Sequence, residues 1–410
     1  NRPQSSVAEC DMTCNRRITK RLAVLIPLTF LLAYIKHVIS PFELEYVSMK
    51  TFGKFLNYSW SKGKAERKNT IAIVAIVDND SLDGYDLAIE TMQCYATSRN
   101  YEFHVINANK FKGGCNYKDI MFLRHCVLAN FMEKQKTAWI VFIDADIGVV
   151  NPKHDLESYL PTSPRTAIVF YDRIMNYEVA AGSFIVRNTE EGRRILREWA
   201  EQETRIPHNF IGRDNGMLHE LILDHVPSLS TELRHLCSKQ LQISTKYPAL
   251  YAYTACVRFL LQGQKVEDIE IRDKNHTKRW VRDGWITDST HAPSDFMVHG
   301  WQNRYRDKSV FAQWHNPLVE YPSAAALKRL VKPNESQKKR DLNSRLSLLR
   351  EACSVPNATD HLWVYVKERQ ISDTVKYTKI GGLIANVRQR MKIDYAPFKA
   401  RLAMAALKVA

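Results

Sequence analysis

A chain of 410 residues, 45% hydrophobic and 10% aromatic, can bury one large core or two modest ones, which excludes a disordered or fibrous protein. The net charge of +15 is unevenly spread: residues 324–410 hold 18 Lys and Arg against 7 Asp and Glu, or +11, leaving the first 323 residues near neutral. No nucleic-acid motif accompanies the basic stretch, so it reads as a solvated surface and nucleic acid is not an expected partner.

Near the start, Arg16, Arg17, Lys20 and Arg21 precede the uncharged run LAVLIPLTFLLAYI (22–35). Snorkelling by Lys36 and His37 extends the usable apolar length to Ile39. No small-x-small cleavage site follows, which favours a signal anchor over a cleaved signal peptide or a core helix. The expected layout is a cytosolic tail (1–21), a single type II transmembrane anchor (22–39), a Lys-rich stem (40–69), a catalytic domain (70–320) and a basic helical extension (321–410). Lumenal exposure in the Golgi or endoplasmic reticulum suits five Asn-x-Ser/Thr sequons, at Asn57, Asn79, Asn275, Asn334 and Asn357. It also suits six cysteines beyond the anchor (Cys94, Cys115, Cys126, Cys237, Cys256 and Cys353), free to form up to three disulfides in any pairing.

The run IAIVAIV (71–77) is the β-branched pattern of a buried parallel strand, and it ends in Asp78-Asn79-Asp80-Ser81. Helical spacing follows over Asp86–Arg99, a strand over Phe103–Ile106, and an amphipathic helix over Asp119–Lys134. Trp139–Ile143 is the next strand, then strands at Thr166–Tyr171 and Ala181–Arg187 and a helix at Thr189–Glu203. Alternating strands and helices imply a doubly wound α/β domain, whose ligands sit beyond the carboxyl ends of the strands.

Asp144 and Asp146 follow the strand Trp139–Ile143. Carboxylates at i and i+2 share one face of an extended chain and can meet on one ion. Hard oxygen ligands suit Mn²⁺ or Mg²⁺, with coordination positions left for phosphate oxygens. His299, after the short run Phe296–Val298, is a third candidate ligand; Gly300 permits close backbone approach and Trp301 offers a stacking surface. Asp214-Asn215 opens an apolar helix and either caps it or stands beside a substrate. Lys118 and Arg124 begin the helix before the Asp-x-Asp strand, where a cation could neutralise phosphates, and Lys118 is the candidate contact. Gly182 and Ser183 would let the chain pass close to a sugar ring.

The segments VFIDADIGVVNP (141–152), FYDR (170–173), AAGSFIVRNTEEGRRILREWAE (180–201), GRDNGMLHEL (212–221) and FMVHGW (296–301) together resemble a nematode-expanded family of unknown function with a GT-A glycosyltransferase-like domain. More distantly they are similar to the galactosyl-, mannosyl- and xylosyltransferase family of fungi and plants. The resemblance covers about residues 70–305. It implies a GT-A-like, Rossmann-like fold, a metal held by Asp144, Asp146 and His299, and a nucleotide diphosphate sugar as donor. It matches Lys118 to a basic residue before the pair, with longer spacing here, and Asp214-Asn215 to an acidic residue followed by Gln. Retention of anomeric configuration is implied for the same reason.

The expected activity is therefore a metal-dependent hexosyltransferase acting on a glycan or glycoprotein acceptor. Asp78 and Asn79 would contact the nucleoside, and Asp172 and Asp214 would orient the sugar or acceptor. Two rivals stand beside it. One is a non-catalytic carbohydrate-binding protein on a degenerate transferase fold. The other is a haloacid-dehalogenase-type phosphohydrolase, disfavoured by Gly148 two residues after the second Asp.

Overall fold

The computed structural model describes residues 70–78, 82, 84–111, 113–226, 228–262, 264, 266, 268–274, 277–308, 312–320 and 342–391, with single positions 395, 400 and 404. The expected tail, anchor and stem lie outside the described residues, as do the sequons at Asn57, Asn79, Asn275 and Asn334. Among the described residues no helix is long and apolar enough to cross a membrane. All of them fall in one compact unit, Lys68–Ala410.

In chain order come β1 (Ile71–Val77), α1 (Asp86–Ser98), β2 (Glu102–Asn107), α2 (Ile120–Glu133), β3 (Trp139–Ile143), β4 (Ile147–Val149), β5 (Ile168–Tyr171), β6 (Ser183–Arg187) and α3 (Glu190–Glu201). Three helices follow, α4 (Arg213–Asp224), α5 (Thr231–Gln242) and α6 (Tyr247–Leu260), then β7 (Ile269–Arg272), β8 (Val281–Asp283), β9 (Met297–His299) and β10 (Leu318–Glu320). Beyond these lie α7 (Leu342–Cys353), α8 (Ala358–Leu362), β11 (Val364–Tyr365) and α9 (Asp373–Met391).

The main sheet has the order β2-β1-β3-β6-β5-β7. β1 pairs in parallel with β2 and β3, β5 pairs in parallel with β7, and β6 runs against both β3 and β5. The sheet is thus mixed, with three parallel pairs and two antiparallel ones. The reversal has a consequence for the site: Ile143 at the end of β3 pairs with Ser183 at the start of β6. The residues just outside that pair, Asp144 and Gly182, therefore come together.

Both faces of the sheet are covered, which explains the unbroken apolar runs. In β1, Ala72, Val74 and Ile76 face the layer of α2–α6, while Ile71, Ile73, Ala75 and Val77 face α1 and a smaller sheet. That smaller sheet has the order β4-β9-β8, with β9 antiparallel to β4 and parallel to β8.

The basic helical extension expected from residue 321 packs onto the rest of the domain where it is described. Cys353 on α7 is bonded to Cys94 on α1, and β11 pairs with β10. Trp363 and Tyr365 donate hydrogen bonds to the Val149 and Val150 carbonyls at the end of β4. Its basic character is a surface property that hides a buried face of Leu346, Leu349, Cys353, Trp363 and Ile380. The other cysteines pair as Cys115–Cys126 and Cys237–Cys256.

Candidate metal centre

Asp144, Asp146 and His299 each offer a ligand atom, and these atoms all lie within 4.8 Å of one another. The register of the two sheets produces this. After β3 the chain turns tightly, with the Ile147 N–H donating to the Asp144 carbonyl at 3.0 Å. β4 then pairs Ile147 with His299, so the imidazole stands beside the residue that follows Asp146. Gly300, at φ +104°, bends the chain so that its own N–H and that of Trp301 both donate to the Asp146 carbonyl, at 3.1 and 2.9 Å.

Gly182 makes room for this arrangement. A Cβ there would lie 2.7 Å from Asp144 Oδ2 and 3.6 Å from His299 Cε1. Its carbonyl accepts the Asp144 N–H at 2.7 Å.

Each ligand side chain is held by a partner behind it. His299 Nε2 lies 3.2 Å from Asp146 Oδ1 and 3.6 Å from Asp144 Oδ2, while its Nδ1 faces Asp283 Oδ1 at 3.2 Å. Asp283 is in turn gripped by both arms of Arg173, at 2.6 and 3.1 Å. Gln302 donates to Asp146 Oδ2 at 2.5 Å, and Arg124 reaches Asp144 Oδ1 at 2.5 Å. A carboxylate behind a ligating histidine fixes the ring orientation and raises its basicity.

The electrostatics agree with the geometry. Burial disfavours every charge here, yet the Asp146 and Asp283 carboxylates outweigh it and hold the His299 pKa well above its ordinary value. At Asp146 burial is overcome by the imidazole and the Gln302 amide, so its pKa is lowered. At Asp144 burial prevails over Arg124 and His299, and the pKa is raised. Asp283 is held far below the usual carboxylate range: burial works against it, and Arg173 and His299 prevail. Two carboxylate oxygens and one imidazole nitrogen at the edge of a cleft are a donor set that fits a hard or borderline divalent cation with open positions.

The remaining candidate residues fall in different places. Asp172, Gly182 and Asn215 line the cleft with Asp144 and His299. Asp172 is only 4% exposed and forms a two-point pair with Arg258, at 2.9 and 3.0 Å. The Asn215 side chain accepts the Ala181 N–H at 2.8 Å and so fixes the approach to Gly182. Asp214 does not face the cleft: it is buried, with its carboxylate on Arg124 at 2.6 Å and His125 at 3.2 Å, and it anchors Arg124. Ser183 is fully buried between the Phe142 carbonyl and the Trp280 indole N–H, so only Gly182 of that pair approaches the cleft. Trp301 offers no stacking surface to a ligand: it is 1% exposed and packs on Trp314 beneath Gly148. Lys118 is exposed, and its amide rather than its side chain is engaged, by Glu203. The cation that reaches the aspartates is Arg124. Asp78 is exposed and its carbonyl accepts from Asn109, while Asn79 lies outside the described residues.

Sequence reasoning missed Asp283, Arg173 and Gln302. Asp283 carried a usable signal, since it ends the short strand Val281–Asp283 as Asp144 follows β3. Nothing local marks Arg173 or Gln302.

The chain belongs to a protein family: the model described as "Protein of unknown function, DUF273" matches residues 92–314, a span that holds Asp144, Asp146 and His299. No curated protein matches the sequence. Among solved structures, the chain is similar to the crystal structure of a glycosyltransferase involved in the glycosylation of the major capsid of PBCV-1, at 16% identity and a TM-score of 0.32, over 38% of this chain and 79% of that one. It is also similar to the apo-form glycosyltransferase GlyE of Streptococcus pneumoniae TIGR4, at 11% identity and a TM-score of 0.26, over 49% of this chain and 65% of that one. At these values neither likeness carries an argument about this chain.

Proposed function

We propose that this protein is a divalent-metal-dependent glycosyltransferase that moves a hexose from a nucleotide diphosphate sugar to a glycan or glycoprotein acceptor. The observation that carries the reading is the convergence of Asp144, Asp146 and His299 within 4.8 Å at the carboxyl end of a parallel strand, at the edge of a cleft. These three residues would hold Mn²⁺ or Mg²⁺, which when bound neutralises the charge that builds on a departing diphosphate. Arg124 and Asp214 keep Asp144 aimed, and Asp283 and Arg173 keep His299 aimed. Asp172 and Asn215, in the cleft wall, stand where the transferred sugar or acceptor would lie. Retention of anomeric configuration belongs to the reading through the family resemblance alone.

We place the domain in the lumen of the Golgi or endoplasmic reticulum, behind a signal anchor at residues 22–39. Three disulfides that use all six cysteines after the anchor support an oxidising compartment.

The test is calorimetric titration of the chain with UDP and GDP, with and without Mn²⁺, in the wild type and in Asp146→Ala. The reading requires Mn²⁺-dependent binding of one nucleotide, lost in the variant. Folded protein that binds neither nucleotide would overturn it in favour of a non-catalytic carbohydrate-binding protein.

A further inference from the structure

One of the five sequons, Asn357-Ala358-Thr359, falls within the described residues. It lies between α7, which ends at Cys353, and the short helix α8. Ser354, Val355, Pro356 and Asn357 are all exposed, Val355 to 56%. Asn357 stands at the N-cap of α8, where an asparagine ordinarily accepts a backbone N–H through its side chain. Here the side chain makes no capping bond. The backbone lies at φ +59°, a left-handed conformation that Asn tolerates better than most residues and that differs from the extended backbone of a usual cap. Conformation alone would be served as well by Gly, and it leaves the exposed carboxamide unused.

The segment also carries a mark of compartment. Cys353, four residues before Asn357, is bonded to Cys94 on α1. Disulfides persist where the surroundings are oxidising, and N-linked oligosaccharides are carried by chains that pass through the same compartment. The surroundings leave room for one. No residue from 354 to 359 lines the cleft. The start of α1 lies beside the metal centre, since the Gly84 carbonyl accepts the N–H of Asn303, the neighbour of Gln302. Cys94 is eight residues into α1 from Asp86, about 12 Å along the helix axis. The arm is therefore tied to α1 well away from the end that faces the centre.

We propose that Asn357 carries an N-linked oligosaccharide, on the solvent side of the turn between α7 and α8. The proposal rests on the lumenal placement of the domain and not on the chemistry of the metal centre. The donor is a lipid-linked oligosaccharide diphosphate. Asn357 Nδ2 bonds to the anomeric carbon of the first sugar, and the bond from that carbon to the lipid diphosphate breaks. The diphosphate leaves with the electron pair, and the amide proton passes to a base. Thr359 supplies the hydroxyl that makes Asn357 an acceptor. The glycan also shields the exposed apolar surface of Val355.

The experiment produces the full chain in animal cells, digests it, and removes glycans with peptide N-glycosidase in heavy-oxygen water, which leaves a labelled Asp wherever a glycan stood. Mass spectrometry of the wild type should find the label at position 357. Asn357→Gly suits the left-handed backbone and should lose it. Thr359→Val keeps the side chain's size and should lose it too, whereas Thr359→Ser should retain it. Label at other sequons with none at 357 overturns the proposal and leaves the lumenal placement standing. Label at no sequon overturns both, and nucleotide titration still decides the metal centre separately. Label at 357 in Thr359→Val would show a modification that does not read the sequon, and overturns the proposal as well. Calorimetric Mn²⁺ binding should be the same before and after enzymatic removal of the glycan from folded protein. A change would set the glycan against the centre and overturn its place on the outside of the arm.

Discussion

The metal centre and the C-terminal arm (residues 342–391) are built on opposite principles. The centre is a network of charges in which each ligand has a fixed partner: Asp144 has Arg124, Asp146 has Gln302, and His299 has Asp283. The arm combines a buried apolar face (Leu346, Leu349, Trp363 and Ile380) with ties of long reach: one disulfide to α1, two hydrogen bonds to β4, a short strand pair, and Lys376 on Asp295. The two meet at β4, which carries the chain away from Asp146 on one side and takes the arm's Trp363 and Tyr365 on the other. The difference teaches where each kind of damage should appear. Cutting the arm should lower stability with little effect on ligand geometry, and disturbing the centre should do the reverse.

The largest expected effect is on the arm. The Cys94–Cys353 bond spans 259 residues of sequence. Cross-links over loops this long restrict the unfolded chain most, so Cys353→Ser should cost about 4 kcal/mol, read as a lower denaturant midpoint. Mn²⁺ affinity of the folded variant should stay within about threefold of wild type. A collapse of metal affinity at unchanged stability would break the comparison.

Acid should strike both regions in one pH window. His219 is buried under the cleft and accepts the Val179 N–H, and His291 packs on the arm's Tyr365. Burial lowers both pKa values to about 4. Between pH 6.5 and 4 the unfolded chain therefore binds more protons than the folded one, so stability falls as the pH falls through that window and flattens below it. The loss is on the order of 3 kcal/mol per histidine. Buried His125 is lowered to about 4 as well, so denaturant titrations at pH 7 and pH 4.5 should show the loss, with about a third of the slope removed in His291→Gln. Equal slopes in variant and wild type would count against the assignment.

How much of this was legible in the sequence depends on the range of the interaction. β1 and β3 match their expected bounds residue for residue, because a buried strand writes its pattern locally. The Asp144/Asp146 pair and His299 were legible for the same reason: each follows or ends an apolar run. Arg124 was passed over for Lys118 because α2 was read as having one apolar side, whereas Arg124 and His125 are buried along with Leu123 and Val127. Trp301 was misread because a tryptophan after a glycine suits both a ligand platform and a core wedge, and only the proximity of Gly148 decides between them. Arg173 and the docking of the arm depend on partners more than a hundred residues away, and no local pattern encodes them.

Gly148 is where the two regions can be coupled on purpose. A Cβ there would fall 2.2 Å from the Trp301 ring and 3.1 Å from Thr91 Oγ1. Overpacking of this kind costs about 1–3 kcal/mol, so Gly148→Ala should lower the thermal midpoint. Since the Trp301 and Gly300 N–H groups fix the Asp146 carbonyl, Mn²⁺ affinity should fall as well. A loss confined to stability would show that the backbone around Asp146 is held by β4 and not by the Trp301 wedge.

The smallest effect should come from Asp283→Asn, and it bears most directly on how the centre works. The substitution keeps shape and removes one charge behind His299. Arg173 then faces a neutral amide, and the imidazole loses the carboxylate that fixes its tautomer and raises its basicity. Outer partners of this kind change metal affinity by 10–100-fold, so calorimetric Mn²⁺ binding should weaken by that factor. Asp283→Ala removes the hydrogen bond to the ring as well and should weaken binding further. If the two variants bind Mn²⁺ equally, the carboxylate's charge carries the effect and ring orientation does not. If neither departs from wild type, His299 is aimed by the β4–β9 register alone, and the charges behind it do not set the geometry of the centre.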